Sequence, residues 1–181
     1  MQEEAITILK KGGAGVYPTD TLYGIVGSAF SKSAVARIYT VKGRDAKKPF
    51  IILISSINDL KKFSINYLLI RPNKQVVEKF WPGRVSVILP CTSKKFAYLH
   101  RGTKSLAFRL PKNKKLIELL KKTGPLVAPS ANPQGMEPAH TIAEAKKYFG
   151  DKLDFYIAGG RKAGKPSRVI SLVSGTPVRL R

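Results

Sequence analysis

With 181 residues, 43% of them hydrophobic and 24% charged, the chain has the size of one folded domain with its own core, which excludes a disordered segment or a disulfide-stapled mini-protein. Lys and Arg number 33 against 11 Asp and Glu, a net charge of +22 whose field attracts any polyanion, nucleic acid first among them. No apolar run approaches the roughly 20 residues that span a bilayer, no charged-then-apolar leader precedes the first helical stretch, and the lone Cys91 cannot close an internal disulfide, so a cytoplasmic protein without a membrane anchor is expected.

Residues 3–11 have helical spacing and are stopped by Gly12-Gly13, and residues 14–17 read as a strand. That strand leads into Pro18-Thr19-Asp20-Thr21-Leu22-Tyr23-Gly24, which sets three hydroxyls where a small polar molecule can be oriented. Ser31 is a candidate N-cap for a helix with Val35, Ile38 and Tyr39 on its apolar side, ending near Gly43. In Lys42-Gly43-Arg44 two cations flank a residue without Cβ, so the backbone can bend and both heads can converge on a phosphorylated or adenylated molecule. Residues 50–54 form a continuous apolar run, read as a strand buried on both faces.

Helices are expected at residues 57–63 and 73–80, the second stopped by Trp81-Pro82-Gly83. Residues 85–89 and 106–110 read as strands, 114–122 as a helix ended by Gly124, 126–128 as a short strand, 142–149 as a helix and 169–173 as a strand. Strands and helices mixed along the whole length, with no internal repeat and no linker, predict one α/β domain over residues 1–181. The lysine doublets fall mostly on solvent faces of these helices.

Residues 159–165 fit the Gly-x4-Gly-Lys part of a Walker A loop. Pro166, however, stands where the Ser/Thr that holds magnesium belongs, and a strand follows where the phosphate-binding helix should start. A basic surface loop that closes over the site is the expectation. His100 and His140 lie far from any Cys or carboxylate cluster, so no zinc site is expected, and Cys91 is read as a small buried hydrophobe.

Val127-Ala128-Pro129-Ser130-Ala131-Asn132 puts a hydroxyl and a carboxamide at a strand end, in a turn rich in Pro and Gly. Taken in order with Pro-Thr-Asp-Thr-Leu-Tyr-Gly, Lys-Gly-Arg and Phe80-Trp81-Pro82-Gly83, this set resembles the YrdC/TsaC family from about residue 16 to the C-terminus. The resemblance implies a single open, twisted mixed-sheet α/β domain with a concave basic groove, of the short, standalone branch. It also implies an L-threonylcarbamoyl-adenylate synthase, which joins L-threonine, bicarbonate and ATP and releases pyrophosphate. Its product would feed a separate transferase complex that modifies tRNA.

By the same resemblance Thr21, Arg109, Ser130 and Ser167 would meet threonine. Lys42 and Arg44 would meet the ATP phosphates and act catalytically, and Lys48, Ser105, Asn132, Thr141 and Arg181 would complete the nucleotide site, with Arg179 as the alternative to Arg181. Ser167 stands in Ser-Arg-Val-Ile-Ser where the family has Ser-Thr-Val-Val-Asp. Mg2+ would arrive with ATP, since it takes few protein carboxylates. Asp20 is read as a turn-stabilising Asx residue, with metal or water ligation as the alternative. Tyr23 and Trp81 are read as core or groove-wall aromatics, the alternative being adenine stacking. The competing reading is a non-catalytic module that binds tRNA or double-stranded RNA in the same basic groove. A carbamoyl-transfer domain excised from a hydrogenase-maturation enzyme is a weaker third. A pocket of Thr21, Ser130, Asn132 and Ser167 favours the enzyme, because a backbone-tracking RNA binder needs cations and stacking aromatics.

Overall fold

The computed structural model describes residues 1–65 and 74–180. In chain order the elements are α1 (Gln2–Lys10), β1 (Ala14–Pro18), β2 (Tyr23–Ser28), α2 (Lys32–Lys42), β3 (Ile51–Leu53), α3 (Lys74–Phe80), β4 (Val85–Pro90), α4 (Ala97–His100), β5 (Ser105–Arg109), α5 (Lys114–Thr123), β6 (Leu126–Val127), α6 (Ile142–Phe149), β7 (Phe155–Tyr156), β8 (Arg168–Ser171) and β9 (Val178–Arg179). The strands form one open mixed sheet in the order β7-β1-β2-β6-β3-β5-β4-β8-β9. Pairing is parallel for β1–β7, β3–β5 and β4–β8 and antiparallel elsewhere.

Both faces of the central strands are covered. Successive side chains on a strand point to opposite faces, and here they alternate between two cores. Val16, Ile25, Ile52 and Val127 enter the larger one, with Ile38 of α2, Val77 of α3, Leu99 of α4 and Phe149 of α6. Their neighbours Tyr17, Val26, Leu53 and Leu126 enter the smaller one, against Ile6 and Leu9 of α1 and Leu116, Leu119 and Leu120 of α5. A strand sandwiched in this way has no solvent face to mark with polar residues. That is why residues 50–54 are uniformly apolar.

Ser31 caps α2 as expected, its Oγ accepting from Ala34 N at 3.2 Å, and Gly43 ends the helix in the left-handed region with φ 58°. A Cβ on Gly27 would lie 2.8 Å from Ile38 Cδ1, so the glycine lets α2 settle directly on β2.

Some expectations are corrected. Residues 57–63 form a 3-10 helix: Asp59 accepts from Ser55 N at 2.8 Å and Ser56 N at 3.2 Å, and the turn ends at Ser64 with φ 59°. The strand expected at 169–173 is β8, one residue earlier at its start. Strands β2, β7 and β9 and the short helix α4 were not expected. In β2 two glycines break the apolar run, and β7 and β9 are two-residue pairings too brief for any period. The helix expected at 73–80 is α3, while Asn73 lies outside the described residues.

Candidate active site

The β1–β2 hairpin supplies one wall of a cavity of about 370 Å³. Its tip, residues 19–22, is held by Thr19, whose Oγ1 donates to Leu22 O at 2.6 Å and lies 3.0 Å from Thr21 Oγ1. Strand β5 supplies a second wall by alternation: Ser105, Ala107 and Arg109 line the cavity while Leu106 and Phe108 enter the core. Arg44, Phe50, Thr103, Ser130, Pro166 and Ser167 are among the other residues that line it.

Arg109 is the most constrained of these side chains, at 4% exposure. Its Nη1 donates to Thr21 Oγ1 at 3.1 Å, its Nη2 lies 3.1 Å from Asp20 Oδ1, and its buried Nε has no hydrogen-bond partner among the described residues. Burial pulls the guanidinium below its usual value, Asp20 opposes this and Arg84 adds to it. Asp20 is therefore neither an Asx-turn residue nor solvent-facing. Its carboxylate is the counter-ion of Arg109, a pairing that sequence spacing did not reveal.

Ser130 and Asn132 sit on a turn stitched to the start of β2 by Ala131 N to Tyr23 O at 2.9 Å and Ile25 N to Pro129 O at 2.9 Å. Ser130 Oγ donates to Asn132 Oδ1 at 2.6 Å, and the Asn132 amide donates to Met136 O at 2.6 Å. Beneath this turn lies Lys42, only 2% exposed, with Nζ donating to Ser130 O at 2.5 Å and to Asn132 O. These oxygens favour the ammonium. Burial works against it, assisted by the Arg44 guanidinium, and brings the pKa down to about 7.

The expected convergence of Lys42 and Arg44 is thus corrected. The chain turns at Gly43, Lys42 points inward under the Ser130 turn, and only Arg44 lines the cavity. Lys48 and Thr141 do not line it either. Lys48 is exposed, and its carbonyl accepts from Arg44 Nε at 3.1 Å; Thr141 is the N-cap of α6, accepting from Glu144 N at 3.2 Å. Asn132 is adjacent through Ser130 but is not part of the lining. Arg181 lies outside the described residues, and Arg179 is exposed on β9 at the sheet edge.

Thr21, Arg44, Ser105, Arg109, Ser130 and Ser167 are brought together as expected. Ser167 is 4% exposed, with Oγ 3.0 Å from Ser86 Oγ on β4. Ser86, a hydroxyl inside the apolar run of β4, was missed, although a buried Ser among Val and Ile is itself the signal. Residues 159–165 cross the hairpin as a strap. Tyr23 OH accepts from Gly159 N at 2.9 Å and donates to Gly160 O at 2.8 Å, and Lys162 N donates to His140 O at 2.8 Å. Strand β8 follows this strap, so it lacks the helix a P-loop requires. The Tyr23 ring is 1% exposed, and Trp81 is buried with Nε1 donating to Val85 O at 2.8 Å, the expected core roles. Among the described residues no three His, Cys, Asp or Glu side chains gather as a metal cage.

A cleft walled by the hairpin tip and the interior strand β5, with a buried arginine beside hydroxyls and a second arginine on another wall, gives this α/β fold a site suited to a small anionic molecule. The chain belongs to the Sua5/YciO/YrdC family: the family profile, described as "Telomere recombination", matches residues 7–181. It is 34% identical over 183 residues to the threonylcarbamoyl-AMP synthase of Pyrococcus abyssi, covering 98% of this chain and 52% of that one. The threonylcarbamoyl-AMP synthase of Marinobacter nauticus is 31% identical over 175 residues, covering 93% and 89%. Among solved structures, P. abyssi Sua5 complexed with L-threonine matches with a TM-score of 0.89 and 30% identity over 99% of this chain and 53% of that one. The chain therefore spans about half the length of the Pyrococcus relative and most of the Marinobacter one.

Proposed function

We propose that this chain synthesises L-threonylcarbamoyl-AMP from L-threonine, bicarbonate and ATP. The observation that carries the proposal is the Nε–H of Arg109, buried beside the cavity and without a hydrogen-bond partner among the described residues, next to the hydroxyl of Thr21. A buried donor without an acceptor is destabilising, and a substrate carboxylate would satisfy it. The names of the relatives and the threonine-bound Sua5 structure support the same reading over the RNA-binding module.

In this reading threonine's carboxylate lies on Arg109 and its polar groups face Thr21, Ser130 and Ser167. The amine attacks bicarbonate-derived carbon, forming the C–N bond of a carbamate and releasing water. A carbamate oxygen then bonds to the α-phosphorus of ATP as the bond to the bridging oxygen breaks, and that electron pair leaves with pyrophosphate. The chain supplies orientation and charge more than covalent chemistry, and well-oriented reactants can account for about 7–11 kcal/mol of such a barrier. Arg44 offsets charge growing on the pyrophosphate, Mg2+ enters as part of the Mg-ATP substrate, and Ser105 borders the nucleotide. Lys42 acts through the Ser130–Asn132 turn it anchors; Lys48, Asn132, Thr141 and Arg181 remain candidate nucleotide contacts. The activated carbamate is suited to consumption by a transferase acting on tRNA.

Pyrophosphate release that requires L-threonine, bicarbonate and Mg2+ together, with AMP-linked product in equal amount, is the expected result. Threonine-independent hydrolysis to ADP overturns the assignment. L-valine, with a methyl in place of the hydroxyl, should be turned over far less well, since a site built for a hydroxyl can reject its absence by up to ~10⁴-fold.

A further inference from the structure

An aromatic pair beside the cavity links two arginines. Tyr39 on α2 and Phe50 stack with ring centroids 4.0 Å apart at 24°. The Arg44 guanidinium lies over Phe50, 5.3 Å from its centroid, and that of Arg101 lies over Tyr39 at 4.2 Å. The Tyr39 hydroxyl donates to Lys48 O at 3.0 Å, the same carbonyl that accepts from Arg44 Nε at 3.1 Å. Arg44 is thus seated on both a ring and a carbonyl, and each is fixed by Tyr39.

Arg101 holds its place at a cost. It is a non-glycine residue with φ 50°, and its Nε is buried without a hydrogen-bond partner among the described residues. Either feature alone disfavours an arginine, and such strain persists where the surroundings impose it, often at functional sites. The segment that follows Arg101 carries Thr103 and Ser105 into the wall of the cavity that Arg44 also lines.

We propose that Arg101 is a positioning residue for the nucleotide end of the cleft: acting through Tyr39 and Phe50, it aims Arg44 and ties the Thr103–Ser105 wall to it. Guanidinium groups stack well on aromatic faces, so the arrangement fixes a cation without neutralising it. The inference rests on the reading of Arg44 as a phosphate contact and adds a residue outside the cavity lining.

The test uses Arg101→Gly, which relieves the left-handed backbone and so protects folding, together with Arg101→Lys. Binding of Mg-ATP and of L-threonine is measured by calorimetry, alongside melting temperature and the KM and kcat of pyrophosphate release. Arg101→Gly should weaken Mg-ATP binding and raise its KM by about tenfold, the scale of a lost desolvated cation–π contact. Threonine affinity and melting temperature should hold. Arg101→Lys should fall between, because the ammonium keeps the charge and loses the planar stack. Added to Arg44→Ala, Arg101→Gly should weaken ATP binding by much less than it does alone, since most of its effect passes through Arg44. Unchanged ATP affinity in Arg101→Gly, full additivity with Arg44→Ala, or equal losses for ATP and threonine would overturn the proposal. A wild-type chain that binds no Mg-ATP overturns the synthase reading first, and the positioning role with it.

Discussion

Arg109 Nη2 lies 3.1 Å from Asp20 Oδ1, in an ion pair whose side chains are 5% and 9% exposed. The carboxylate keeps a buried guanidinium charged while leaving one of its N–H groups for a ligand. Removing one member of such a pair strands the other charge, at about 3–5 kcal/mol. Asp20→Asn should therefore lower the melting temperature by roughly 10 °C, taking about 2–4 °C per kcal/mol for a domain of this size. An unchanged melting temperature would show that the pair is solvated in solution.

Arg109→Lys keeps the charge beside Asp20 and so should fold. An ammonium cannot reproduce the planar fork that reaches Thr21, Asp20 and a ligand carboxylate together. The KM for L-threonine should rise by at least about tenfold, on the scale of one charged hydrogen bond, with ATP affinity retained. Loss of ATP binding with threonine affinity intact would move the amino-acid site elsewhere.

Lys42 gives a pH signature. Its folded pKa of about 7 lies below the ordinary 10.5, so the unfolded chain holds this proton more tightly. The cost of the buried charge is fully present below the folded pKa and is relieved as pH rises through the window between the two values. Denaturant unfolding of the wild type and Lys42→Met at about pH 6 and about pH 10 should show the wild type gaining stability relative to the variant at the higher pH. A difference that stays constant would mean that Lys42 is not buried as a titrating group.

A methyl at Gly164 would lie 2.3 Å from Thr21 O and 3.1 Å from Thr21 C, both backbone atoms. Neither can yield as a flexible side chain would, so Gly164→Ala should lift the strap from the hairpin tip. Threonine turnover should fall by about tenfold or more, as a misplacement near 1 Å can do. The melting temperature should barely move, because residues 159–166 belong to no helix or strand. A stability loss matching the activity loss would make the strap part of the core.

Where the sequence was legible, a period or a cap made it so. Ser31, Gly43 and Gly124 mark helix ends by local chemistry, and α6 runs over the residues its apolar spacing selected. The cavity residues Thr21, Arg109, Ser130 and Ser167 were legible only as an ordered set, since each is an ordinary turn or strand residue by itself. The inward turn of Lys42 was not legible. Nothing near Lys42 in sequence reports the carbonyls of Ser130 and Asn132, which follow β6, a strand set between β2 and β3 in the sheet but distant from Lys42 along the chain. Asp20 and Ser86 were obscured for the same reason, each being explained by a partner far away in sequence, Arg109 and Ser167.

The strand order also governs how the molecule can be made. The β1–β2 hairpin leaves a ribosome well before its flanking partners β6 and β7 and the strap it holds through Tyr23, Gly160 lying 137 residues beyond Tyr23. Domains fold as units, and a nascent hairpin with two open edges invites pairing with the wrong chain. During translation the outer edges of this glycine-bearing hairpin must stay unpaired until the residues from β6 through the strap have emerged, and only then can the cavity close around its tip.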